Sequence, residues 1–292
     1  MPPHTATLIG LVAIALWALL ALFTAASGTM PPFQLTAITF LIGGLAGAVS
    51  WTWRPGAAWA LRQPLRVWAL GVGGLFGYHA LYFAALRLAP PAEAGLVNYL
   101  WPLLIVVFSG LLPGERLKAI HLAGAALGFA GVVALSLGSS LAARPEHVPG
   151  YLCAFTAAFV WAGYSVLSRR VSTVPTDAVA GFCLATSALS ALCHLAFETT
   201  VWPADATQGL AVLALGLGPV GLAFYAWDIG MKRGDIRMLG VVSYATPVLS
   251  TLALVAAGYA TASTALAAAC GLIVAGALVA SSDKLLPKPR PA

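Results

Sequence analysis

The sequence predicts an all-α integral membrane protein, with ten transmembrane helices arranged as two inverted five-helix repeats. Two observations carry that expectation. Only 8% of the 292 residues are charged, against roughly a quarter in soluble proteins, and mean hydropathy is +0.91, so lipid must be the solvent. One spacing also relates features across the chain. Trp17 precedes Trp161 by 144 residues, and Tyr99-Leu100-Trp101-Pro102 precedes Tyr244-Ala245-Thr246-Pro247 by 145. At 144 or 145 residues, Pro31 pairs with Pro175, Gly71 and Gly73 with Gly216 and Gly218, Gly74 with Pro219, Tyr82 with Trp227, and Gly131 with Gly276. Five crossings per unit is an odd number, which turns the second copy upside down in the bilayer, an arrangement typical of secondary transporters.

Segments near the 20 residues needed to cross hydrocarbon fall at 7–27, 33–53, 67–87, 92–112, 119–139, 149–169, 178–198, 208–230, 237–258 and 263–282. Residues 1–143 form the first unit, 149–282 the second, and 283–292 a short basic tail. Cytoplasmic loops are enriched in Lys and Arg. With the N-terminus inside, thirteen of the fifteen Lys and Arg residues fall on the cytoplasmic side, leaving Arg87 and Arg144 outside. Both termini are therefore expected in the cytoplasm, in a multi-pass protein of the bacterial inner membrane.

That charge is spread over short loops rather than gathered on one face, so nucleic acid is not an expected partner. Residues 1–27 lack the positive n-region and short apolar stretch of a cleaved signal, and Trp17 belongs to the repeat. Cys153, Cys183, Cys193 and Cys270 match no metal or disulfide framework, so no metal or cofactor is expected. Neither His-Glu-x-x-His nor Gly-x-Ser-x-Gly occurs in the chain, which speaks against an intramembrane enzyme. A membrane receptor or scaffold is a remote alternative.

Gly43 and Gly47, Gly73 and Gly77, and Gly124 and Gly128 are small-xxx-small pairs that let helices approach closely in lipid. The glycine faces of the fifth and tenth spans suit packing on each other or support of a dimer, so monomer and homodimer both stand. In the third and eighth spans, Gly71, Gly73 and Gly74 correspond to Gly216, Gly218 and Pro219. Glycine and proline weaken a helix, and matched breaks in two halves point to a transporter's binding and gating region.

Trp51, Trp53, Trp59, Trp68, Trp202, Tyr151 and Tyr259 fall at span ends, where amphipathic rings anchor among headgroups. By contrast Trp17, Tyr78, Tyr82, Tyr99, Trp101, Trp161, Tyr164 and Tyr244 lie inside spans, where each polar tip needs a partner or a wet space. With His79, Asn98 and Ser243 they form the expected substrate wall, suited to a flat solute that stacks on rings. His79, ionisable within a span, is a site candidate by default, with packing as the other reading. Asp228 stands one turn before Lys232 and reads as half of an ion pair snorkelling near the inner surface, with a coupling-proton site as the second reading.

The run Ala92-Glu93-Ala94-Gly95-Leu96-Val97-Asn98-Tyr99-Leu100-Trp101-Pro102, then Pro113-Gly114-Glu115-Arg116-Leu117 and a glycine-rich fifth span ending Gly131-Val132-Val133, resembles the EamA module of the drug/metabolite transporter superfamily. The whole chain fits two such modules. In detail it resembles the YddG-type exporters of aromatic amino acids, and the resemblance implies a ten-helix, basket-like inverted repeat that exports aromatic and other bulky neutral amino acids by alternating access. In the second half Ala257-Gly258-Tyr259-Ala260-Thr261 lacks the Gly-Glu pair. The nearest rival is an exporter of lipophilic or quaternary cationic drugs, since Trp and Tyr faces attract cations. Small multidrug carriers of the superfamily hold an acid in their first helix, and residues 7–27 hold none. Without a clear membrane-embedded carboxylate to take a proton, a facilitator is favoured over a proton antiporter.

Overall fold

Proline starts several helices here: Pro3, Pro32 and Pro91 each open one, at the position where the missing N–H would have had no partner anyway. The computed structural model describes residues 1–54, 56–113, 117–136, 145–258 and 264–285. Among the described residues there are helices and short turns and no strand. In chain order the helical columns are α1 (Pro3–Ala26), α2 (Pro32–Thr52), α3 (Leu65–Leu88), α4 (91–109), α5 (Ala119–Ser136), α6 (Pro145–Val171), α7 (Ala178–Phe197), α8 (Ala206–Arg233), α9 (Ile236–Ala256) and α10 (Thr264–Leu285). Seven, α1 to α3 and α6 to α9, are long and apolar enough to cross a membrane; shorter apolar stretches lie in α4, α5 and α10. Gly114-Glu115-Arg116, the connection around Arg144, Tyr259 with its following loop, and the tail from residue 286 lie outside the described residues.

The main packing partners cross between halves. α5 lies along α10, α2 along α7, α1 along α8, α3 and α4 along α6, and α4 also touches α9. Glycine makes the tightest of these approaches possible. A Cβ on Gly124 would sit 2.6 Å from the Gly276 carbonyl oxygen, and one on Gly276 would sit 2.5 Å from that of Gly124. Without a hydrophobic drive between helices in lipid, such backbone contact is what holds a pair together. Gly124, Gly131 and Gly276 thus meet the partner helix, whereas Gly128 meets Tyr244 of α9 and nothing among the described residues lies within 4 Å of a Cβ on Gly271.

Breaks recur at the repeat spacing. α3 widens into a π turn at Gly73–Gly77 and α8 does so at Gly218–Leu222. α4 is interrupted at Tyr99 and Leu100, and α9 at Ser243 and Tyr244. α1 is interrupted at Leu19, whereas its counterpart α6 is continuous over Val148–Ser168. π turns are rare and gather at functional sites, and here both lie beside the same cavity.

Charged side chains cluster at the bundle's ends. Asp228 and Lys232 pair at 2.8 Å with side chains only 3% and 4% exposed. The Thr176 hydroxyl donates to Asp228 at 2.7 Å and the Lys232 ammonium to the Val174 carbonyl at 2.9 Å. The expected ion pair is therefore present but does not snorkel, because the α6–α7 connection supplies the partners that water would have. At the opposite end the Glu198 carboxylate accepts from the backbone N–H groups of Phe33 and Gln34, both at 3.1 Å. It caps the first turn of α2 from the end of α7 and also takes Arg87 at 3.1 Å.

Of the expected span-end anchors, Trp53, Trp59 and Trp202 are exposed. Trp68 packs on Phe182, and the Tyr151 hydroxyl donates to Glu93. All four cysteines are free thiols.

Candidate substrate cavity

The repeat partners Trp17 and Trp161 meet edge to face, with ring centroids 5.6 Å apart. Trp227 lies 5.0 Å from Trp17, and Trp101 lies 6.4 Å from both Trp17 and Trp161. This four-indole cluster is drawn from α1, α4, α6 and α8, and forms a floor. Above it lies a cavity of about 160 Å³ lined by Trp17, Leu20, Tyr78, His79, Tyr82, Asn98, Tyr99, Trp101, Trp161, Val220, Phe224 and Thr246. Trp101, Trp161 and Trp227 are 5%, 4% and 1% exposed, whereas Leu20 is 38% exposed. Beyond the floor, Met231, Ile236 and Leu239 are fully buried and the Asp228–Lys232 pair is sealed in.

The π turns aim the polar groups. In α3 the widened turn immediately precedes Tyr78 and His79. His79 Nδ1 lies 2.7 Å from the Leu75 carbonyl; a carbonyl only accepts, so Nδ1 carries the proton and Nε2 is left available. In α8 the Pro219 carbonyl accepts the Trp17 indole N–H at 3.0 Å. The Asn98 amide donates to the Tyr78 hydroxyl at 3.0 Å, and Tyr78 stacks on Tyr82 with centroids 5.9 Å apart. Among the described residues, Asn98 Oδ1 and Thr246 Oγ1 are buried with no hydrogen-bond partner. Leaving such an atom unmatched costs about 1–3 kcal/mol, so a group that supplied a hydrogen bond to either would be favoured there. The lining holds no Asp, Glu, Lys or Arg.

Eight of the expected wall residues come together here: Trp17, Tyr78, His79, Tyr82, Asn98, Tyr99, Trp101 and Trp161. Three others lie outside the lining. Tyr164 stands behind Trp161, 5.4 Å away between centroids, with its ring against Gly74. Ser243 donates to the Leu239 carbonyl of its own helix at 2.6 Å. Tyr244 is fully buried against Gly128 and Phe129. Of the expected gating residues, Gly73, Gly74, Gly218 and Pro219 fall within the π turns. Gly71 and Gly216 precede them, packed under Phe182 and Ile42.

Leu20, Val220, Phe224, Thr246 and the floor residue Trp227 were not anticipated. The repeat held the signal for most of them, since Phe224, Trp227 and Thr246 stand 145 residues after His79, Tyr82 and Trp101.

A model of the EamA-like transporter family matches the chain twice, over residues 4–137 and 148–282. The chain belongs to the EamA-like transporter family. This EamA-like transporter is 61% identical to a protein of Ancylobacter novellus named aromatic amino acid exporter YddG, over 96% of this chain and 98% of that one. It is 29% identical to a protein of the same name from Salmonella typhimurium, over 86% of this chain and 88% of the relative. A solved crystal structure, 60% identical, superposes with a TM-score of 0.93 over 97% of this chain and 99% of the other.

Proposed function

We propose that this chain is an inner-membrane exporter of aromatic and other bulky neutral amino acids. It works by alternating access, with ten crossings in two inverted five-helix units and both termini in the cytoplasm. The observation that carries this reading is the cavity: rings from both halves wall it, and no charged side chain lines it. A zwitterion with an aromatic side chain needs ring surface and neutral hydrogen-bonding tips, and brings no net charge for the protein to balance. The printed name of the relative at 61% identity supports the same substrate class. The cross-half packing and the π turns 145 residues apart support the repeat.

Asp228 is engaged by Lys232 and Thr176 and lies off the cavity lining, which favours facilitated export down the substrate gradient over proton exchange. Efflux of labelled phenylalanine from liposomes holding the purified protein tests the whole reading. Saturable efflux unchanged by an imposed pH gradient is expected; efflux no faster than from protein-free liposomes would sink it. A quaternary amine has no N–H to give the cavity's acceptors, and neither α1 nor the lining holds an acid to balance it, so it is expected not to compete.

A further inference from the structure

We propose that Asn98 and Thr246 together seat the substrate's α-ammonium group, an assignment that rests on the amino-acid reading above. The two residues come from different halves and stand at the matched interruptions of α4 and α9. Asn98 ends the first segment of α4, just before the break at Tyr99 and Leu100. Thr246 follows the break at Ser243 and Tyr244 in α9, and the segments on the other sides of these two breaks, Trp101–Ser109 and Ile236–Val242, pack on each other. Both line the one cavity. They are 3% and 8% exposed, and among the described residues their free oxygens have no partner.

The kind of atom decides the ligand group. Asn98 gives one amide N–H to the Tyr78 hydroxyl, and the atom it leaves wholly unmatched is its carbonyl oxygen, which accepts and cannot donate. A carboxylate also only accepts, and would be repelled there. An ammonium carries three donors and matches. The Thr246 hydroxyl can accept as well as donate, so beside Asn98 it fits the same ammonium, and with His79 Nε2 it adds a neutral acceptor to a chamber whose lining holds no acid. The carboxylate is left to the phenolic donors of Tyr78, Tyr82 and Tyr99. Tyr78 therefore stands between the two seats, accepting from Asn98 while its own proton stays free for the carboxylate.

Displacement of labelled phenylalanine from the purified full-length protein tests the assignment, using two truncated competitors. Phenethylamine keeps the ammonium and 3-phenylpropionate keeps the carboxylate. Thr246→Val is expected to weaken displacement by phenethylamine about tenfold, the loss of one hydrogen bond to a charged group. Displacement by 3-phenylpropionate should stay unchanged, and Thr246→Ser should restore the amine. Asn98→Asp keeps an acceptor and is expected to retain phenethylamine, while Asn98→Leu loses it. An equal loss for both competitors would mean a structural role, and a loss confined to 3-phenylpropionate would mean that the carboxylate sits there; either overturns the proposal, as does no change in any variant. A wild-type protein that neither binds nor transports phenylalanine would instead overturn the amino-acid reading itself.

Discussion

The first half of the chain brings Tyr78, His79, Tyr82, Asn98, Tyr99 and Trp101 to the cavity, whereas the equivalent positions of the second half hold Ala223, Phe224, Trp227, Ser243, Tyr244 and Thr246. The backbone plan is shared, down to the π turns and the interrupted helices. The chemistry is not. One half supplies phenols, an imidazole and an amide, while the other supplies Trp161, Phe224 and Val220 with a single hydroxyl. A symmetric frame with an asymmetric wall matches the proposed solute, polar at one end and flat at the other. The same divergence appears at the ends of the two π-broken helices. Lys232, 145 residues after Arg87, is sealed with Asp228, while Arg87 is 52% exposed.

That last contrast predicts the largest effect. Lys232→Met strands Asp228 in a dry site, and removing one partner of a buried ion pair costs about 3–5 kcal/mol. A drop in thermal stability in detergent is the expected readout, and an unchanged melting temperature would show that the α8 end is not held as described. Gly124→Val comes next. Its side chain must push α5 from α10 where the carbonyl of Gly276 already touches, and overpacking of this kind costs about 1–3 kcal/mol. A full-strength fold in that variant would contradict the backbone contact. In the cavity, Trp101→Ala and Tyr78→Ala are each expected to lower phenylalanine export about tenfold at unchanged protein level, a difference of about 1.4 kcal/mol. Normal export from both would remove the aromatic wall. Arg87→Met should cost under about 1 kcal/mol, since a half-exposed ion pair contributes little; a loss as large as that of Lys232→Met would erase the contrast between the two ends.

The repeat and the helix positions were legible because lipid imposes a length on every span and duplication leaves a fixed offset. Trp17, Tyr78 and Trp161 could be read as interior because a polar ring tip inside a span must find a partner. Other positions could not be read from spacing. Ser243 and Tyr244 sit in the interruption of α9, where the helical phase is lost and a face cannot be carried through. Tyr164 shares a side of α6 with Trp161, but the small surface of Gly74 on α3 draws its ring behind the wall. The depth of Asp228 and Lys232 depended on Val174 and Thr176, in a connection whose path the sequence does not encode locally. Trp227 was visible as the repeat mate of Tyr82, and treating that offset as a map of the site as well as of the fold would have found it.

An indole has one proton to give. Trp17 has given its proton to the Pro219 carbonyl and Trp227 to the Ser165 hydroxyl at 3.0 Å, so at these two positions the protein presents carbon surface alone to whatever rests above. Water finds no purchase on such surface. The packed indoles thus set an apolar layer between the cavity and the sealed Asp228–Lys232 pair.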